Sequence, residues 1–458
     1  MQEFKLQGSD AYQTNIRSCG IIVHIVKLSQ YSFLLSNRRG YFLFSTLFFS
    51  IIEVDEHVYR MLSECKCGDK DVNGSSLGDE LYTTLNNNGF LCESYEEEYL
   101  AFREGCINAR TDDRDMHVTI VPTMNCCFSC PYCFEKHKKS GVISEGVIDS
   151  IIRYIGNTNP ESLHITWFGG EPLLATRQIE SFSKKLFKAY QGNYSSDIIT
   201  TGFPVSGSVV DTLRTGHIND IQITIDGDKE NHNKVKFTNQ CNDTFSRIID
   251  NIDYISSQIP SINCIIRVNV TKENINDIPF LHSKLSARFA NRNIWLSPSL
   301  VMQNGCACSE QLFSSDEFRI ITKEWWEKYK IPTKWIYGID RTECAIRKPS
   351  SIVVLPDGSI CRCWEVTCDQ EYTIGKLLSD GSITLTEANH EFSKNLGSID
   401  PFSIEKCKKC PYLPICYGGC PIKIIKCENN HGSHVPICTS YKGHLNDWLE
   451  LYLDYNQR

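Results

Sequence analysis

The chain has 458 residues, more than one ordinary hydrophobic core holds, which points to roughly two to four domains. Hydrophobic residues make up 41%, enough to build those cores and to exclude wholesale disorder. The net charge is −8 with no long basic run, which argues against nucleic acid as a partner.

Residues 1–8 carry no signal-peptide pattern. The strongest apolar run, within residues 41–52, is about a dozen long where a membrane span needs roughly 20. The expectation is a cytoplasmic protein that does not contact membrane, whose 23 cysteines bind metal rather than form disulfides. Residues 31–36 and 41–45 flank Asn37-Arg38-Arg39-Gly40, a β-hairpin with glycine where a turn needs positive φ. Residues 54–62 and 77–85 have helical spacing. Asn86-Asn87-Asn88-Gly89 stops the second helix, and residues 90–92 read as a returning strand. Residues 93–98 read as a solvated acidic connector. Residues 1–112 are expected to form one small α+β domain.

From residue 113 to 335, strand-like runs (117–122, 164–168, 197–201, 221–225, 265–270, 294–296) alternate with helical ones (146–155, 178–190, 244–256). Repeated βα units predict a parallel sheet, open or closed into a barrel, with its active site at the C-terminal strand ends. The first strand runs straight into Cys126-x3-Cys130-x2-Cys133. Three thiolates so spaced can hold three irons of a cubane [4Fe–4S] cluster. The fourth iron is then open to bind and reduce a small molecule. A zinc knuckle or buried thiols are the bland alternatives. Cys127 falls out of spacing and reads as a packed thiol that ligates nothing.

This motif, with Tyr132 before its third cysteine, resembles the signature of radical S-adenosylmethionine (SAM) enzymes, and so does Gly169-Gly170-Glu171-Pro172 after the second strand. The resemblance implies an α/β fold, a partial (β/α)6 TIM-like barrel. In that family the GGEP-type loop receives the methionine ammonium, a role suited to Glu171 and backbone carbonyls. Gln222-Ile223-Thr224-Ile225-Asp226-Gly227 resembles a later strand whose polar side chains contact the cofactor. Arg267 and Asn269, with Asn274 beyond, resemble the positions facing the cofactor carboxylate and ribose; a guanidinium grips a carboxylate with two hydrogen bonds. Thr200-Thr201-Gly202 sits where many relatives read TTNG, with Thr201 in place of the asparagine. The implied cofactor contacts are therefore Tyr132, Gly169, Gly170, Glu171, Pro172, Thr200, Gln222, Thr224, Asp226, Arg267 and Asn269.

Residues 336–458 hold Cys344-x13-Gly358-x4-Cys363, then Cys407-x2-Cys410-x5-Cys416-x3-Cys420, then Cys438. Residues 352–361 read as a hairpin turning at Pro-Asp-Gly. The seven-cysteine spacing resembles the SPASM extension of peptide- and protein-modifying enzymes, although a zinc ribbon uses similar Cys-x2-Cys pairs. The resemblance implies two auxiliary [4Fe–4S] clusters, an outer one on Cys407, Cys410, Cys416 and Cys438, and an inner one on Cys344, Cys363 and Cys420. Sulfatase-maturing relatives place a further cysteine soon after the first; residues 345–350 contain none. The inner cluster then has an open iron, or Cys361 or Cys368 fills it. Cys427 reads as a bystander, His390, His431 and His434 as exposed loop histidines, and residues 448–455 as a closing helix.

The functional expectation is an anaerobic maturase that cleaves SAM to a 5′-deoxyadenosyl radical and crosslinks side chains of a ribosomal precursor peptide through a C–C or ether bond, or a thioether. The first domain resembles winged-helix-like modules that capture leader peptides as an added strand. A low-potential donor, flavodoxin or ferredoxin, is implied. Sulfatase maturation and a non-catalytic iron–sulfur scaffold are the alternatives. No general base stands out among Asp226, Asp228, Glu230, Asp340 and Glu343. Protein reconstituted without oxygen is expected to hold about twelve irons, as three cubane clusters. About four irons, with zinc in the remainder, would make the C-terminal array structural.

Overall fold

In the computed structural model, which describes residues 3–4, 25–73, 77–133, 135, 140–239, 241–300, 313–339, 341–431 and 438–457, two small sheets open the chain. Their elements are β1 (Glu3–Phe4), β2 (Ile25–Leu28), β3 (Ser32–Asn37), β4 (Gly40–Ser45), β5 (Ile51–Val54), α1 (Glu56–Cys67), β6 (Val72–Asn73), α2 (Asp79–Asn87), β7 (Leu91–Cys92) and α3 (Tyr95–Thr111). The sheets run β1-β5-β4-β3 and β6-β2-β7. Asn37 pairs with Gly40, so Arg38-Arg39 is the hairpin turn, and Gly40 takes φ +140°. Asp55 caps α1, accepting from the Val58 amide at 2.8 Å. Gly89 ends α2 at φ +69°, where a Cβ would lie 1.9 Å from Phe48.

Residues 93–98 are not a connector. Ser94 accepts from the Glu97 amide at 3.1 Å and starts α3, whose first turn holds Glu96, Glu97 and Glu98. Acids stabilise a helix N-terminus, so the run that looked solvated is a helix start. Glu98 turns inward to accept from the Gln30 amide at 3.1 Å, and burial pushes its carboxyl pKa up.

The central unit comprises β8 (Asp115–Thr123), α4 (Glu145–Thr158), β9 (Ser162–Gly169), α5 (Thr176–Ala189), β10 (Asn193–Thr200), α6 (Gly207–Thr215), β11 (Asp220–Ile225), α7 (Lys229–Val235), α8 (Thr244–Gln258), β12 (Asn263–Val270), α9 (Ile278–Arg288) and β13 (Ile294–Leu300). The six strands lie in sequence order and pair in parallel. Alternation sorts the two faces. Val118, Ile120, Leu163, Ile165, Ile221, Ile223, Ile266 and Val268 belong to the main apolar core, at 1% exposure or less. Gln222, Thr224, Arg267 and Asn269, one residue out of phase, are only half-buried and face the other way. Short polar helices α6, α7 and α9 escaped the sequence reading because their apolar stripes span barely two turns.

After α10 (Ser315–Tyr329), β14 (Ile352–Val354) pairs in parallel with β8, and the sheet continues through β15 (Ser359–Cys361), β16 (Gly375–Leu377) and β17 (Ile383–Leu385). The Pro-Asp-Gly turn forms as read, with Gly358 at φ +82°. Beyond lie α11 (Glu387–Ser398), α12 (Pro421–His431) and α13 (Leu445–Asn456). His390 sits exposed on α11 and His431 closes α12, so both belong to helices rather than loops. His434, Asp340 and Phe134 fall outside the described residues. No helix among the described residues is long and apolar enough to cross a membrane.

The hairpin shares a core with the end of the chain. Leu35, Phe42, Phe44 and Ile51 pack with Trp326, Trp335, Trp448 and Leu449. Trp448 is 1% exposed, stands 5.0 Å from the Phe44 ring and donates from Nε1 to the Ile336 carbonyl at 3.0 Å. Trp448→Ala is expected to cost about 3–5 kcal/mol. Denaturant unfolding would measure the loss, and hydrogen exchange should rise in β3 and β4 as well as in α13.

Candidate active site and cluster-binding loops

The cysteine loop begins where β8 ends. Cys126, Cys130 and Cys133 are all partly exposed, and the Cys133 amide donates to the Cys130 carbonyl at 3.1 Å, closing a tight turn. The Cys127 thiol donates to the Phe203 carbonyl at 3.2 Å. The glycine loop after β9 lies directly against it. The Gly170 amide donates to the Thr123 carbonyl at 3.1 Å, and the Glu171 amide to the Asn125 carbonyl at 2.8 Å. A Cβ at Gly170 would stand 2.3 Å from the Asn125 oxygen, and one at Gly169 would stand 2.7 Å from the Thr123 oxygen. No other residue allows this approach.

Glu171 is fully buried, and burial pushes its carboxyl pKa up. Both its oxygens are taken inside the protein: Oε1 by the Thr200 hydroxyl at 2.5 Å and the Leu173 amide at 3.0 Å, Oε2 by the Thr201 amide at 2.8 Å and the Thr201 hydroxyl. Thr201, the residue that departs from the family pattern, thus helps to set the glycine loop. Pro172, buried, starts the short 3-10 turn Pro172–Ala175.

A second tie binds the cysteine loop to β11. Asp226, just past that strand, accepts from the Tyr132 hydroxyl at 2.6 Å and from Lys236 Nζ at 2.6 Å; both charged side chains are 3% exposed. Asn269 donates to the other Asp226 oxygen at 3.2 Å and accepts from Arg267 Nε at 3.0 Å. Burial would raise the Asp226 pKa, but the Lys236 ammonium and the Tyr132 hydroxyl override it and hold it below the usual aspartate value. Burial likewise lowers Lys236, and Asp226 more than reverses it. Thr224 stands beside Arg267 in the parallel register, with Gln222 two residues earlier on the same face. Tyr132, Asp226, Arg267 and Asn269 therefore form one hydrogen-bonded group beside the cluster loop. Glu171 and Thr200 form another behind the glycine loop.

The model of the Radical SAM superfamily matches residues 120–284, the span that contains both groups. The chain is a radical SAM enzyme. It is 23% identical over 339 residues to the cysteine-type anaerobic sulfatase-maturating enzyme of Clostridium perfringens strain 13, an alignment covering 64% of this chain and 85% of that one. It is 21% identical over 243 residues to the radical SAM cyclopropyl synthase TigE of Paramaledivibacter caminithermalis, covering 46% and 50%. The solved structure of native anSMEcpe with bound AdoMet superposes with a TM-score of 0.57 at 20% identity, over 74% of this chain and 97% of that one. The fold is shared. SAM and a [4Fe–4S] cluster are the cofactors of the superfamily, and three thiols on one loop, cradled by two glycines that admit no side chain, fit them.

In this radical SAM enzyme the C-terminal cysteines fall into two groups. Cys407, Cys410, Cys416 and Cys438 line one cavity of about 60 Å³. Cys344, Cys363 and Cys420 lie within electrostatic reach of one another. Cys361 is buried, with its thiol donating to the Cys363 carbonyl at 3.3 Å, and it neighbours Cys363 and Cys368. Cys368 lies near Cys133 and the buried Glu135.

Among the described residues, the carboxylates weighed as bases are occupied. Asp228 caps α7, Glu230 pairs with Lys234 at 2.8 Å, and Glu343 takes both Arg110 Nε and Nη2 at 2.7 Å. Sequence reasoning missed Lys236, an ordinary-looking lysine at the end of a short helix, and Glu365. Glu365 is half-buried, adjoins the Cys363 thiol through its own amide, and lies within electrostatic reach of Arg267. It makes no ion pair among the described residues. Its neighbour Trp364 stacks on Phe168 at 5.5 Å, which carries this segment over the glycine loop.

Lys236→Met leaves Asp226 buried and unpaired, with an expected cost of about 3–5 kcal/mol. Thermal unfolding should show the Lys236→Met/Asp226→Asn double variant recovering most of that loss. In the wild type, the Asp226 contribution is present above the ordinary aspartate pKa and is lost as pH falls through its depressed value. The double variant should lack that acid dependence.

Proposed function

We propose that this radical SAM enzyme is a three-cluster peptide maturase. The grouping of seven C-terminal cysteines carries the reading: four line one cavity, as a fully ligated cubane requires, and three lie within electrostatic reach of one another as an inner set. The chain divides at 1–112, 113–335 and 336–458 into peptide-recognition, radical and auxiliary-cluster domains. Cluster and SAM, when bound, supply a 5′-deoxyadenosyl radical that removes hydrogen from an unactivated carbon. Arg267 and Asn269 hold the cofactor carboxylate and ribose, with Gln222 and Thr224 beside them. The glycine-loop carbonyls receive the ammonium, because the Glu171 carboxylate is already engaged. Trp364 on Phe168 closes the chamber against water. Glu365 would take the proton, and the auxiliary clusters the electron, released when the substrate radical goes on to the crosslink.

The substrate in this reading is a ribosomally made precursor whose leader adds as a strand to a sheet edge of the first domain, and the product carries a side-chain crosslink. Sulfatase maturation is the second reading, favoured by the alignment with a sulfatase-maturating enzyme over 85% of that enzyme's length. Two observations favour the peptide. Ser350 closes a stretch without the extra cysteine, and 36% of this chain lies outside that alignment (100 less the 64% covered).

The test uses reduced, reconstituted protein, SAM and the candidate precursor. The Cys126/Cys130/Cys133 triple alanine variant should form no 5′-deoxyadenosine. The wild type should remove a hydrogen pair from the peptide by mass spectrometry. Precursor without its leader should no longer bind or be modified, while 5′-deoxyadenosine is still formed. Glu365→Gln should slow peptide modification by about 10²-fold or more with 5′-deoxyadenosine still formed. Modification of a sulfatase peptide but no leader-bearing one would overturn the first reading.

A further inference from the structure

The cavity of Cys407, Cys410, Cys416 and Cys438 is rimmed by Lys406 and Lys442. Lys442 Nζ donates to the Cys438 sulfur at 3.7 Å, and both lysines are exposed, as is Cys438 itself. Lys409, also exposed, stands on the two-residue spacer between Cys407 and Cys410. Lys408 pairs with Glu405 at 2.5 Å and lies within electrostatic reach of Arg103 on α3. Two lysines thus line a sulfur-lined opening, with exposed Lys409 beside its cysteines in sequence, on a chain whose net charge is −8.

Four cysteines complete a cubane and leave no iron for substrate, which restricts such a cluster to moving electrons or to structure. The surrounding segments run inward. Cys416 and Cys420 lie one helical turn apart in sequence and join the outer set to the inner one. Cys363 of the inner set precedes Trp364, which stacks on Phe168 beside Gly169. Cys420, Cys363 and Trp364 thus lead, along the chain and by neighbouring groups, from the outer set to the glycine loop.

We propose that this rim is the docking surface of a small acidic one-electron carrier protein, a reduced flavin or iron–sulfur carrier. The carrier is oxidised by one electron, which enters at the Cys407/Cys410/Cys416/Cys438 set. The proposal rests on the outer-cluster reading above. Charge complementarity of this kind raises the encounter rate and makes it salt-dependent.

The experiment uses full-length reconstituted protein and a recombinant flavodoxin photoreduced to its hydroquinone, with flavin oxidation followed by stopped flow. Lys406→Glu/Lys409→Glu, with Lys442 kept because it touches Cys438, should lower the second-order rate constant about tenfold or more at low salt. It should also remove most of the salt dependence, while iron content and dithionite-driven 5′-deoxyadenosine formation stay at wild-type levels. Lys376→Glu/Lys394→Glu, the same charge change at two other exposed lysines, should keep the wild-type rate. If the glutamates cost iron, Lys406→Gln/Lys409→Gln reads the same effect at smaller amplitude. A wild-type rate in the rim variant, or an equal fall in the control, overturns the docking surface. A Cys407→Ala protein with undiminished iron would instead remove the outer cluster, which is a different failure.

Discussion

Everything at the radical site depends on two loops sharing one surface without side chains between them. Gly170 presses on the carbonyls of Met124 and Asn125, and the amides of Gly170 and Glu171 donate across the same seam. A single Cβ there would part the loop of Cys126, Cys130 and Cys133 from the end of β9. The buried Asp226–Lys236 pair, with Tyr132 donating to it, holds the other side of the cysteine loop against β11. Neither contact need contribute much net stability: a buried ion pair does little better than an apolar pair of the same volume. Their value is positional, since groups brought together from different strands for one site tolerate little play among them.

The radical domain was legible because its chemistry and its fold write in different alphabets. Strand-like runs at residues 221–225 and 265–270 gave the sheet, and the resemblance picked out Gln222, Thr224, Arg267 and Asn269, which lie on the polar half of the same alternation. Cysteine spacing singled out the thiol groups, because thiols that serve one loop together recur at short, fixed separations in sequence. What stayed hidden were contacts between residues with no local signature. Nothing near Lys236 announces that its ammonium is buried, since its partner lies ten residues back on another element. Glu365 looks like any acid in a turn until β14 and β15 join the sheet and swing it towards Arg267. The acidic run of α3 misled for a simpler reason: solvated acids and helix-starting acids have the same composition, and only the Ser94 cap separates them.

The polar interior follows the same economy of position. Glu171 is engaged by two threonine hydroxyls and two backbone amides, and Arg110, Arg347, Glu343 and Asp400 knit α3 to the segment beside Cys344. Charged groups are thus buried where domains meet the cluster loops, and the apolar core lies beneath the helices of the barrel.

The shared core of hairpin and final helix sets an order of events during synthesis. Phe42 and Phe44 must wait for Trp448, some four hundred residues later, before their face is covered. Chains emerge at about 5–20 residues per second and fold largely domain by domain. The radical barrel is therefore synthesised whole before the first strands of the chain find their last partner. The hairpin is the oldest part of the nascent protein and the last to be finished.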